Sequence, residues 1–66
     1  MRLDRKKVML QMAKLCINQQ KLADRAECSR QTISTVLNGR NCHPELLGRI
    51  AKALEVEPAE IVEDNE

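Results

Sequence analysis

Apolar positions recur at helical spacing in successive stretches of the chain. Val8, Met12 and Leu15 form one i, i+4, i+7 stripe, which predicts a first helix from Asp4 to Cys16. Asn18 is a good N-cap, and Leu22, Ala23 and Ala26 share one side of a short second helix, Gln19 to Ala26. Ser29 opens a third helix running to about Leu37, with Ile33, Val36 and Leu37 on its apolar side. Asn38-Gly39 closes it, because glycine accepts the left-handed backbone that a helix end often needs. Arg40 to His43 reads as a polar loop. Pro44 suits the first turn of a fourth helix reaching about Glu55, with Leu47, Ile50, Ala51 and Leu54 at helical spacing. Pro58 starts a short fifth helix carrying Ile61 and Val62, and Glu63 to Glu66 reads as a frayed acidic tail. With two Gly, two Pro and no β-branched runs, the fold class is all-α, a compact five-helix domain.

Length sharpens this picture. A chain of 66 residues forms one domain, 1–66 with a core of about 4–62, near the lower limit for folding without staples. It has no room for a sizeable enzymatic cleft. One loop histidine cannot build a Ser–His–Asp arrangement, and there is no phosphate-binding glycine loop, so no enzyme and no cofactor are expected. No apolar run approaches the roughly 18 residues of a membrane span. Met1 to Ile17 is too charged and interrupted for a signal peptide, so the expectation is a cytoplasmic protein with no membrane partner. Three irregularly spaced cysteines do not make a secreted disulfide framework. Adjacent Cys42-His43 raises metal binding. However, Cys16 and Cys28 fall where the pattern reads as buried, and four convergent ligands are not in view, so no metal site is expected.

Charge changes the picture more. The formal net charge is +1, yet residues 1–40 hold nine basic and three acidic side chains. Residues 41–66 hold two basic and seven acidic ones. A basic contact face and an acidic far end follow, as does the plainer reading of an unevenly charged solvated surface. There is no Phe, Trp or Tyr, which removes base stacking on aromatic platforms.

The second and third helices carry the candidate chemistry. Leu22-Ala23, a short turn around Glu27-Cys28, then Ser29 and Ile33 have helix-turn-helix spacing. Small Ala23 permits a close helix crossing, Cys28 plugs the turn, and Ile33 with Val36 anchors the next helix. That helix then presents Arg30, Gln31, Ser34 and Thr35 outward, none of them acidic. Arg reads guanine bidentately, Gln reads adenine, and Thr offers a hydroxyl and a methyl for thymine.

These residues resemble the lambda-repressor-like, Cro/repressor-type (Xre) helix-turn-helix regulators. The likeness rests on Ile17-Asn18-Gln19-Gln20-Lys21-Leu22-Ala23 and Cys28-Ser29-Arg30-Gln31-Thr32-Ile33-Ser34. Leu37-Asn38-Gly39-Arg40, Pro44 and Ile50-Ala51-Lys52-Ala53-Leu54 continue it, covering about residues 7–62. The resemblance implies a repressor of bacterial or phage origin that binds double-stranded DNA as a homodimer on a palindromic operator, its third helix in the major groove. It implies base contacts from Arg30, Gln31, Ser34 and Thr35. It also implies phosphate contacts from Gln19, which buttresses the third helix, and from Asn38, Arg40, Asn41 and His43 in the loop.

The chain departs from the family at two single positions and one pair. Glu27 stands where a turn glycine is usual, and so must adopt a backbone that glycine finds easier. Met12 and Leu37 stand where some phage members join the first and third helices by an Arg–Glu pair, so packing is expected to replace the ion pair. Glu45 stands where a basic residue often approaches the DNA backbone. Met9 and Leu10 cannot both share the buried stripe of Val8 and Met12, and together with Leu46, Ile61 and Val62 they are candidates for a dimer contact or for closing a small core. A second reading is an antitoxin-like interaction module with an autoregulatory helix-turn-helix; the end of the sequence shortly after the fifth helix weighs against it.

Overall fold

The helix starts follow from local chemistry. The computed structural model describes residues 1–63 and holds four α-helices: α1, Arg5–Leu15; α2, Gln19–Ala26; α3, Arg30–Leu37; and α4, Pro44–Leu54. Asp4 Oδ1 accepts the Lys7 amide at 3.2 Å, Asn18 Oδ1 accepts the Lys21 amide at 2.8 Å, and Ser29 Oγ accepts the Thr32 amide at 3.1 Å. Each such cap contributes about 1 kcal/mol. α4 instead begins with Pro44, whose missing N–H would have no partner there anyway.

Three of the four α-helix ends share one device. Cys16, Glu27 and Glu55 close α1, α2 and α4 in the left-handed region, with φ of 58°, 60° and 61°. In each case the next amide reaches back across the last turn: Ile17 to the Met12 carbonyl, Cys28 to Ala23 and Val56 to Ala51, all at 3.0 Å. This closure turns the following apolar residue inward, and Ile17, Cys28 and Val56 all pack against the core. Glu27 thus takes the backbone expected of a glycine. Left-handed backbone costs a non-glycine residue about 1–2 kcal/mol, part of which glycine gives back as lost chain entropy. Glu27→Gly is therefore expected to raise stability by about 0.5–1 kcal/mol, read as a higher midpoint in urea or thermal unfolding. A lower midpoint would show that the Glu27 side chain contributes more than its backbone costs.

Helix α4 lies at the centre, packed against α1, α2 and the C-terminal turn, while α2 also packs on α3. Val8, Leu22, Ile33, Ile50 and Leu54 are fully buried and form the heart of one aliphatic cluster. Met12 and Leu37 are both buried in the same cluster, so packing occupies the place of the ion pair. The last carbonyls of α4, which have no partner within the helix, are met from two sides. Gln11 Nε2 donates to the Leu54 carbonyl at 3.0 Å, and Arg25 Nη1 donates to the Ala53 carbonyl at 3.3 Å, with Glu55 Oε2 3.9 Å away.

Several expectations are corrected. The fifth helix is a single 3₁₀ turn, Pro58–Glu60, and Ile61 and Val62 lie beyond it. The reason is tertiary: after one turn the chain straightens, burying Ile61 and pairing Val62 with Leu3 in an antiparallel bridge. Cys16 is exposed, since the residue that takes the left-handed turn faces solvent and its successor turns inward. Cys28 is half-buried, whereas Cys42, expected in a polar loop, is only 2% exposed. Met9 and Leu10 are both exposed, at 41% and 62%, while Leu46 packs at the core's edge. Of the acidic tail, Glu63 is exposed and residues 64–66 lie outside the described residues.

Candidate nucleic-acid interface

The interface is built on α3. Its eight residues include no acid, and its N-terminus combines the Ser29 cap with a second bond, Ser29 Oγ to Thr32 Oγ1 at 2.8 Å. The helix dipole places partial positive charge at that end, which favours an anion approaching it. Ile33, Val36 and Leu37 are buried, so the helix cannot rotate without exposing them. With that face fixed, Arg30, Gln31 and Thr35 are exposed and Ser34 is half-buried. Buried Ala23 and Ala26 in α2 supply the small side chains that let α3 cross closely. Eight residues make a rod of roughly 12 Å, about the width of a B-DNA major groove.

The loop after α3 is tied back to the helix. The Asn38 amide donates to Ser34 and Thr35 carbonyls, Gly39 to Val36 at 3.3 Å, and Arg40 to Thr35 at 3.4 Å. Gly39 has a φ of 105°, a backbone that side chains rarely adopt, and it turns the chain away from the helix end. The result is one shallow open groove lined by Ser29, Gln31, Thr32, Thr35, Val36, Arg40 and Asn41. It therefore unites two expected base readers, Gln31 and Thr35, with two expected phosphate contacts, Arg40 and Asn41.

The remaining expected residues are distributed around this groove. Arg30 lies at the first turn of α3, exposed, and Asn38 is the residue that ends the helix. Gln19 is the first residue of α2, half-buried. His43 precedes Pro44 at the start of α4 and lines a separate depression with Glu45, Leu46 and Arg49. Glu45 forms an i,i+4 pair with Arg49 at 3.4 Å, which offsets its charge. Sequence pattern does not single out Ser29 and Thr32 as groove lining. Their hydroxyls point to the helix start, and their role as cap residues hides a second role.

Burial pushes the Cys42 thiol up against the opposing N-terminal ammonium, with a smaller upward push from Cys28, and burial likewise raises Cys28 against the opposing influence of Arg49. Both are thus neutral thiols near pH 7, unlike the thiolates that bind metal or attack electrophiles. Among the described residues, no three His, Cys, Asp or Glu side chains converge as a metal site, and no helix is long and apolar enough to cross a membrane.

Comparison with known proteins agrees with this geometry. No curated protein matches the chain. Two solved structures do, one described as native PhpD with cadmium atoms and one as PhpD with cadmium complexed with hydroethylphosphonate. Each is 26% identical over 100% of this chain, with TM-scores of 0.84 and 0.83. The chain spans only 14% of the length of each. The sequence profile of the Cro/C1-type helix-turn-helix DNA-binding domain matches residues 7–66. With that match over nearly the whole sequence, on a fold that presents an acid-free helix beside a polar loop, the chain belongs to the Cro/C1-type helix-turn-helix DNA-binding family.

Proposed function

We propose that the chain is a transcriptional repressor that reads a palindromic duplex site as a homodimer. The groove that joins Gln31 and Thr35 to Arg40 and Asn41 carries this reading. Helix α3 lies in the major groove, where Gln31 pairs with adenine, Arg30 with guanine, and Thr35 and Ser34 meet neighbouring base edges. Gln19, Asn38, Arg40, Asn41 and His43 hold the phosphates and fix register. The described chain carries one helix-turn-helix, α2 and α3, so half-sites one helical turn apart take two copies. Bound there, the dimer occludes a promoter. No step in this action requires catalysis or a cofactor.

Selection of bound sequences from random duplex DNA tests this. The expected product is a palindromic consensus with half-sites about one turn apart. A single unrepeated site would remove the dimer. No enrichment at all would favour a second reading, in which the helix-turn-helix is an interaction module within a larger assembly. That reading is supported by the likeness to a small part of the much longer PhpD chains.

A further inference from the structure

We propose that residues Met1–Leu3 form a strap that positions the phosphate-contacting loop, a role resting on the duplex-binding reading above. The loop from Asn38 to His43 is anchored at its start by bonds to α3, the last of them from Arg40 to the Thr35 carbonyl. Beyond Arg40, its backbone bond goes elsewhere: the Cys42 amide donates to the Met1 carbonyl. Asn41 therefore hangs between α3 on one side and the strap on the other.

The strap itself is fixed at its far end. The Asp4 amide donates to the Ile61 carbonyl at 2.7 Å, the Glu63 amide donates to the Arg2 carbonyl at 3.0 Å, and Leu3 bridges Val62. Leu3 and Cys42 are each 2% exposed, so both contacting segments are pinned in the core cluster. A phosphate contact needs its donors held where the duplex backbone passes, and disorder in the loop would add an ordering cost to binding. The strap removes that cost by holding Cys42, and with it Asn41 and Arg40. Its role is positioning; the side chains that meet phosphate belong to the loop.

The test compares the parent with a chain lacking Met1 and Arg2, made by cleavage from a fusion, and with Arg2→Ala, which keeps the backbone bonds. In the free protein, amide exchange at Cys42 is expected to quicken in the shortened chain, while exchange at Leu54 in the core is unchanged. Binding is expected to weaken several-fold on selected and unrelated duplexes alike, with a salt slope smaller by about one unit for each phosphate that the loop no longer neutralises. Arg2→Ala is expected to exchange and bind as the parent does. Unchanged exchange at Cys42 overturns the strap whether or not DNA binds. Faster exchange with unaltered binding overturns its role in recognition. Weakened binding in Arg2→Ala equal to that of the shortened chain assigns the effect to the arginine charge, and also overturns it. A parent that binds no duplex while Cys42 exchange still responds counts against the functional reading and leaves the loop-holding strap standing.

Discussion

Ile50→Ala is expected to lower the stability of the folded chain by about 2–5 kcal/mol, the largest loss of any single truncation in the core. Ile50 is fully buried at the centre of α4, the helix that touches α1, α2 and the C-terminal turn. Removing a buried isoleucine to alanine costs about 2–5 kcal/mol, through forfeited transfer energy and the cavity left behind. At typical values per residue, a chain of 66 residues has about 3–10 kcal/mol in all. The substitution therefore removes a large share of the total. There are no aromatic side chains to fill the gap, and Val8, Leu22 and Leu54 are held in place by their own helices. Urea unfolding followed by circular dichroism measures the effect, with Lys14→Ala as an exposed control expected within about 0.5 kcal/mol of the parent. Selected duplex DNA should restore part of the folded population, since a ligand that binds only the folded state stabilises it. A destabilisation below about 1 kcal/mol in Ile50→Ala would mean that the small core repacks freely.

The second large effect is on recognition. Gln31→Ala is expected to cost about 1–3 kcal/mol on the preferred duplex and little on unrelated duplexes, because a glutamine that pairs with adenine acts only where that base is present. Arg40→Ala should behave in the opposite way. It should weaken binding to every duplex and reduce the salt slope by about one, as expected for a phosphate contact. Titrations at several salt concentrations, on the selected and on a scrambled duplex, separate the two patterns. Both side chains are exposed, so neither change should disturb the fold. Intact sequence preference in Gln31→Ala would place base reading on a different face of α3.

The residues legible in the sequence are those whose signal is local. Asn18 and Ser29 announce helix starts because a cap acts within three residues, and both bonds form. The stripe of Ile33, Val36 and Leu37 predicts which side of α3 is hidden, and so which side chains face outward. Gln31 and Thr35 follow from that stripe, whereas Arg40 and Asn41 follow from the family resemblance of the loop. The features that are not legible are set by distant partners. Leu3 is buried against residues near position 62, and Cys42 lies beneath the N-terminal segment, pairings that leave no periodic trace. The shortening of the fifth helix has the same origin. Helical spacing places Cys16 near the buried stripe, while the backbone turn at the helix end swings it out. His43 groups with the loop by sequence, but it opens α4 and lines another depression.

The antiparallel pairing of Leu3 with Val62 also has a topological consequence. The two ends of the folded unit leave it side by side, so it can be spliced into a surface loop of another protein with little stretching of the host chain. Closing a short gap costs little chain entropy, and both partners keep their own folding units. A unit with this geometry is portable: neighbouring ends let it be inserted into a host chain without forcing the host's flanking segments apart.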